Sequence, residues 1–206
     1  MAKLLLVRHG MTEFNSTRKF CGITDIDMSP AGYRQIEKLR DRLVKQKIDA
    51  VFCSDLKRAR ISAEIITAGR KLEITSVPEL REMNYGQCET LTWEEISKDY
   101  PAVTGDMIKR SLNLNFPEGE SLRDLDLRIN KFAGVLKQCP AEQTVLVVGH
   151  SGPLGALVCT LLGFGIEAFW RLYIDNASLS IVNTYPDFAI LNLLNDVSHL
   201  NETRGK

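Results

Sequence analysis

The chain has no excess of charge of either sign: 26 Lys+Arg stand against 26 Asp+Glu in 206 residues. Partners such as nucleic acid or an anionic membrane select a basic surplus, so neither is expected, although a local basic pocket remains allowed. No apolar run approaches the roughly 20 residues of a membrane-spanning helix. The N-terminus enters a strand-like segment at once, with no cleavage-type leader. The five cysteines (Cys21, Cys53, Cys88, Cys139 and Cys159) are scattered and never spaced CxxC. Reduced thiols in a cytoplasmic protein are the simplest account. The three histidines lie far apart, without Cys or carboxylates at ligand spacing, so neither a metal nor a cofactor is expected. Repeats, low-complexity tracts and linkers are lacking too, and the length suits a single domain over 1–206.

What the chain does have is a set of short apolar runs that stop abruptly at polar residues. Leu4–Val7 reads as a strand buried on both faces, and it ends at Arg8-His9-Gly10. Asp49–Ser54 is a second strand, running out into Ser54…Arg58, and Leu72–Val77 is a third, followed by Glu79-Leu80-Arg81-Glu82. Thr144–Gly149 (TVLVVG) is the strongest strand pattern and leads into His150-Ser151-Gly152-Pro153. Ala177–Asn183 and Phe188–Leu194 form a hairpin-like pair, and the polar residues after Asn195 read as a loose tail with His199 on the surface. Helices are expected between the strands. One runs from Pro30 to Gln46, with Ser29 as N-cap and proline at its first position, and another from Lys57 to Gly69. A third helix spans Ser121–Leu136, and a fourth Pro153–Leu162. Residues 84–140 read as an irregular helical insertion, with a capping box at Thr92–Glu95. Strands alternating with helices predict an α/β fold, three-layered α/β/α, with a mostly parallel sheet and a small helical lid.

In such a sheet the strand exits share one edge, where open α/β folds bind ligands. His9, His150, Arg8, Arg58 and Asn15 would then meet in one crevice, with a carboxylate arriving from the third strand. Glu82 is the candidate there, with Glu79 and Glu89 as competitors. Two guanidiniums and an amide suit a tetrahedral oxyanion such as phosphate. An imidazole beside bound phosphate can attack phosphorus, and a carboxylic acid opposite can protonate the departing oxygen. Arg8, Arg58 and a protonated His150 would take up the equatorial charge, and they should keep His9 neutral.

The same residues carry a resemblance. LLLVRHGMTEFN (4–15), FCGITDIDMSPAG (20–32), CSDLKRARISAE (53–64), LREMNYG (80–86), FPEGES (116–121) and VVGHSGPL (147–154) resemble the histidine phosphatase superfamily. The branch in question includes cofactor-dependent phosphoglycerate mutases, broad-specificity phosphatases and α-ribazole phosphatases. The resemblance implies His9 as nucleophile, Glu82 as general acid/base, and Arg8, Asn15, Arg58 and His150 as phosphate ligands. Cys21 and Gly22 fall in the loop that it places at the pocket mouth, and Ser151 follows the second histidine. These three are candidate substrate contacts. Lys109-Arg110 could hold a second anionic group, against the blander reading of a solvent-facing pair. One departure stands out. Where the family continues after LREMNYG with an aromatic and then Glu-Gly, this chain has Gln87-Cys88-Glu89-Thr90, which should alter packing under the catalytic loop.

The expected activity is metal-independent hydrolysis of a small phosphorylated metabolite, with α-ribazole 5′-phosphate the first choice of substrate. The alternatives are a phosphoglycerate mutase and a phosphate-binding regulator without catalysis. A mutase needs extra cations and a longer cap, whereas only 67 residues separate Glu82 from His150 here. A regulator would lack the nucleophile or the acid, and both are present. A homodimer is common in the family, although no motif in this chain specifies one.

Overall fold

The computed structural model describes residues 2–201, and its centre is a six-stranded sheet. The strands are Ala2–Arg8 (β1), Ala50–Cys53 (β2), Ile74–Ser76 (β3), Thr144–Gly149 (β4), Leu179–Thr184 (β5) and Ala189–Asp196 (β6), in the order β3-β2-β4-β1-β5-β6. The first four are mutually parallel, β5 runs antiparallel to β1, and β6 folds back on β5. The pleat divides each buried run between two cores. Leu5, Val7, Leu146 and Val148 face one side, where they pack with Pro30–Leu43 (α2) and Lys57–Thr67 (α3). Leu4, Leu6, Val145 and Val147 face the other, covered by Leu122–Leu136 (α6) and Ser151–Leu162 (α7). Leu4 and Leu5 have no exposed surface, so trimming either to alanine costs about 2–5 kcal/mol.

Local signals fix the helix starts. Ser29 accepts the Gly32 amide and precedes Pro30, which starts α2. Thr92 and Glu95 form a reciprocal capping box on Trp93–Asp99 (α4). Ser121 and Asp124 do the same for α6. The segment between β3 and α6 also contains Pro101–Lys109 (α5), and Ile96, Val103 and Phe116 join the α6–α7 side of the core. No helix among the described residues is long and apolar enough to cross a membrane.

Two expectations are corrected. The first helix ends at Leu43 rather than Gln46, because Arg70 turns back onto the carbonyls of Leu43 and Gln46 at 2.7 Å each and closes the end. The chain after Asn195 is not loose as far as Asn201. Asp196 still belongs to β6 and pairs with Arg42 of α2 at 2.5 Å, and Arg42 also reaches Ser198 and His199. His199 is therefore half-buried rather than a surface residue. Its polarity misleads because its partner lies on a helix some 150 residues earlier. Residues 202–206 lie outside the described residues.

Candidate active site

The register of the parallel strands brings the exits together. Arg8 pairs with Gly149 and Cys53 with Val148. One residue further on, the His9 amide donates to the Gly149 carbonyl (3.0 Å) and the Ser54 amide to the Val148 carbonyl (2.9 Å). The rings of His9 and His150 stand 4.9 Å apart between centroids, both buried.

His9 is held by its Nδ1, which lies 2.7 Å from the Gly10 carbonyl. A carbonyl only accepts, so Nδ1 carries the hydrogen and the lone pair sits on Nε2. Burial, then Arg58 and Arg8, depress its pKa well below 6.5, more than the Gly10 bond restores. The imidazole is thus neutral near pH 7, with one nitrogen available as a nucleophile.

His150 is likewise pushed well below 6.5 by burial, Arg58, His9 and Arg8. The expectation of a protonated His150 is therefore not met in the protein by itself, because burial and the neighbouring cations both oppose the charge. Its Nε2 lies 2.9 Å from Ser54 Oγ, which also accepts the Leu56 amide (3.3 Å). Ser54 Oγ keeps a second lone pair, so either partner of this bond can be the donor; when the hydroxyl donates to Nε2, the imidazole hydrogen sits on Nδ1. Nδ1 is buried and, among the described residues, has no partner; in the tautomer that carries its hydrogen there, it can donate to a ligand without being charged.

The two guanidiniums also keep capacity in reserve. Arg8 donates through Nη1 to the Ile174 carbonyl (2.7 Å), while its Nε is buried without a partner among the described residues. Arg58, only 1% exposed, donates through Nη1 to Thr24 O (2.8 Å) and through Nη2 to Gly22 O (2.6 Å) and Cys21 O (3.5 Å). Its Nε too is buried and unpartnered. These three buried nitrogens with unmet bonding capacity are the kind of donors an oxyanion needs, and His9 Nε2 adds a lone pair rather than a donor.

Glu82 enters from the turn after β3, 5% exposed. Its Oε1 accepts the amides of Met83 (3.0 Å) and Gly152 (3.1 Å). Burial raises its pKa above the usual 4.5, against the opposing pull of the Met83 amide, Arg8 and Arg58. A Cβ at position 152 would collide with this carboxylate, which accounts for glycine there. The segment is braced from behind. Arg128 donates to the carbonyls of Glu79 (2.5 Å) and Arg81 (2.7 Å) and pairs with Glu120, whose Oε2 accepts the Asn84 amide (3.1 Å). Glu120 is the second acid of FPEGES, so that motif supports the Glu82 segment. Glu79 is half-buried and contributes its backbone carbonyl to Arg128 instead.

Asn15 caps the short helix Glu13–Ser16 (α1) and accepts at Oδ1 from the Thr12 amide, the Thr12 hydroxyl and Asn176 Nδ2 (3.0, 3.0 and 3.1 Å). With the oxygen so occupied, its amide NH2 is the end left for a ligand. Ser151 Oγ donates to the same Ile174 carbonyl as Arg8 (3.4 Å). Gly22 gives its carbonyl to Arg58 and its amide to Glu89 (3.0 Å), so what it touches is the arginine and its support. The Cys21 thiol, pushed up to about 11 by burial, donates to Thr24 O at 3.7 Å and stays protonated. Lys109 and Arg110 end α5 on the exposed surface, and among the described residues neither bonds to a member of the cluster.

Three contributors escaped the sequence reading: Ser54, Asn176 and Glu89. Ser54 left a signal, being the polar residue directly after a buried strand. Asn176 left none, although it donates to both the His9 carbonyl (3.2 Å) and Asn15. Glu89 appeared only as a rival to Glu82, whereas its carboxylate binds the loop that holds Arg58. Among the described residues, no three His, Cys, Asp or Glu side chains are grouped as metal ligands.

Comparison with known proteins agrees with this geometry. Phosphoserine phosphatase 1 of Hydrogenobacter thermophilus is 31% identical over 202 residues, covering 98% of this chain and 96% of its own. A "probable phosphoglycerate mutase" of Yersinia enterocolitica is 34% identical over 183 residues, covering 89% and 85%. The crystal structure of the α-ribazole phosphatase from Shigella flexneri superposes with a TM-score of 0.88 at 27% identity, over 95% of this chain and 96% of that one. The family model for branch 1 of the histidine phosphatase superfamily matches residues 4–197, nearly the whole chain, and the protein is a phosphatase of that superfamily.

Proposed function

We propose that the protein hydrolyses small phosphomonoesters, without a metal, through a phosphohistidine on His9 Nε2. The observation that carries this reading is the set of unpartnered buried nitrogens, Arg8 Nε, Arg58 Nε and His150 Nδ1, beside a neutral imidazole whose free lone pair is fixed on Nε2. Nε2 attacks phosphorus while the ester oxygen leaves, taking the proton of Glu82. Arg8, Arg58, Asn15 and His150 carry the charge of the three equatorial oxygens. The Glu82 carboxylate so formed takes a proton from water, which attacks the phosphohistidine and releases phosphate. His9 and Glu82 are then restored. Residues 84–140 act as a lid over a single domain, and the side chains facing the leaving group set specificity.

Relatives named for phosphoserine and for α-ribazole phosphate support a small polar substrate of either kind. Likeness to a mutase supports the second reading, in which the phosphoryl group returns to a substrate rather than to water. Hydrolysis is favoured because Lys109 and Arg110, the cations nominated for a second acidic group, are exposed and share no bond with the cluster.

The test is phosphate release in EDTA from p-nitrophenyl phosphate, phosphoserine, α-ribazole 5′-phosphate and 3-phosphoglycerate, with 2-phosphoglycerate followed in parallel. Release from one preferred ester supports the hydrolase and identifies its substrate. Interconversion of the phosphoglycerates outpacing all release would overturn it in favour of the mutase. An enzyme dead in EDTA and restored by a divalent metal would sink the metal-free mechanism.

A further inference from the structure

The segment Gln87-Cys88-Glu89-Thr90, where the chain departs from its family's pattern, contains the most heavily used carboxylate among the described residues. Glu89 Oε2 accepts the amides of Gly22 (3.0 Å) and Thr24 (3.4 Å) and the hydroxyl of Thr24 (2.6 Å). Its Oε1 accepts the amides of Ile23 (3.0 Å) and Tyr85 (3.1 Å). The five donors more than fill the roughly four lone-pair sites of a carboxylate. Three are consecutive backbone amides of one loop. The carbonyls of that loop point the other way, and those of Gly22, Thr24 and Cys21 are the ones that hold Arg58.

The loop therefore lies between a carboxylate on its amide side and a guanidinium on its carbonyl side. Neighbouring strands of backbone extend the arrangement. The Phe20 amide donates to Leu91 O and the Thr90 amide to Phe20 O, each at 2.8 Å. At the far end Asp25 accepts the Lys57 amide (2.7 Å), which ties the loop to the start of α3, one residue before Arg58. Gly22 is required by the same closeness, since a Cβ there would overlap the Glu89 carboxylate and the Met83 carbonyl.

We propose that Glu89 is a positioning residue for Arg58: it fixes the Cys21–Thr24 loop, whose carbonyls aim the guanidinium at the phosphoryl group. Glu89 itself touches no substrate. The inference rests on the reading of Arg58 as a phosphate ligand. It adds that the strength of that contact is set from outside the crevice, through a side chain that binds only backbone amides and one hydroxyl. Replacing the carboxylate by an amide puts an NH2 group against N–H donors, so several of the five bonds are lost together while size and shape stay the same.

The experiment is a double-mutant cycle read by orthovanadate binding (calorimetry) and by kcat and KM on p-nitrophenyl phosphate, with thermal midpoints for every variant. Glu89→Gln should weaken vanadate binding and lower kcat/KM by about 10- to 100-fold. In the Arg58→Lys background, where a lysine cannot bridge two carbonyls, the same change should add less than about twofold. Thr24→Val removes a single donor and should act in the same direction by about threefold. It takes the place of Glu89→Gln in the cycle if that variant does not fold. An equal loss in both backgrounds, or unchanged vanadate binding with only a lowered midpoint, would make Glu89 a purely structural residue and overturn the proposal. If Arg58→Lys alone left vanadate binding intact, the phosphate-site reading beneath it would be the one to fall.

Discussion

The two arginines of the site are held in opposite ways. Arg8 is the last residue of β1, so the buried strand delivers it, and the Ile174 carbonyl accepts from its guanidinium. Arg58 sits at the start of a helix and owes its aim to three carbonyls of a loop 34 to 37 residues away, which Glu89 holds in turn. One half of the site is therefore an extension of the sheet, set by apolar burial. The other is a strap of charge-assisted hydrogen bonds between loops. Damage to the sheet half should stop chemistry, and damage to the strap should loosen the grip on phosphate.

The largest effect is expected in the sheet half. His9→Ala should remove turnover by at least about 10⁴-fold and abolish any acid-labile phosphoenzyme seen after rapid quench. Near-normal activity in this variant would disprove the mechanism. Glu82→Gln comes next. It should slow hydrolysis of esters with poor leaving groups by about 10²- to 10⁴-fold, with a smaller loss on p-nitrophenyl phosphate, whose leaving group needs little protonation. Equal losses on both substrates would remove Glu82 from the acid role.

The pH profile tests the same pair. His9 must be unprotonated, so activity rises as pH climbs through its pKa, which burial, Arg58 and Arg8 place well below 6.5. Glu82 must be protonated, so activity falls as pH climbs through its pKa, which burial places above 4.5. The kcat/KM profile should be a bell, with its acid limb set by His9 well below 6.5 and its alkaline limb set by Glu82 above 4.5. Glu82→Gln should flatten its alkaline limb and leave the acid limb in place, and retention of both limbs would argue against this assignment.

The strap predicts smaller changes, of which Glu89→Gln, described above, is the largest. The smallest concerns Thr90, a β-branched residue held at φ 66°. That conformation costs a residue with a Cβ roughly 1–2 kcal/mol. Thr90→Gly should therefore raise stability by up to about 1 kcal/mol in urea unfolding, once the extra chain entropy of glycine is subtracted. A clear loss of stability would mean that the threonine side chain contributes packing that outweighs its strain. Beside it, Cys88 is fully buried, a small thiol in the core.

What the sequence by itself determined was the sheet half. Strand TVLVVG and the runs before Arg8 and Ser54 are legible because burial on both faces demands continuous apolar residues, and a polar residue that ends such a run must lie at the sheet's edge. His9, Arg8 and His150 follow from that rule alone. The choice of Glu82 over Glu79 and Glu89 came from family resemblance. Only the tertiary structure shows the physical difference: the Glu82 carboxylate meets the Gly152 amide, Glu79 gives its backbone carbonyl to Arg128, and the Glu89 carboxylate holds the loop. Neutral His150, the Ser54 contact, Asn176 and the docking of Asp196 on Arg42 were likewise decided in three dimensions. Each depends on a hydrogen bond, or a loss of hydration, between segments far apart in the chain, and such pairings have no period or spacing that a sequence can display.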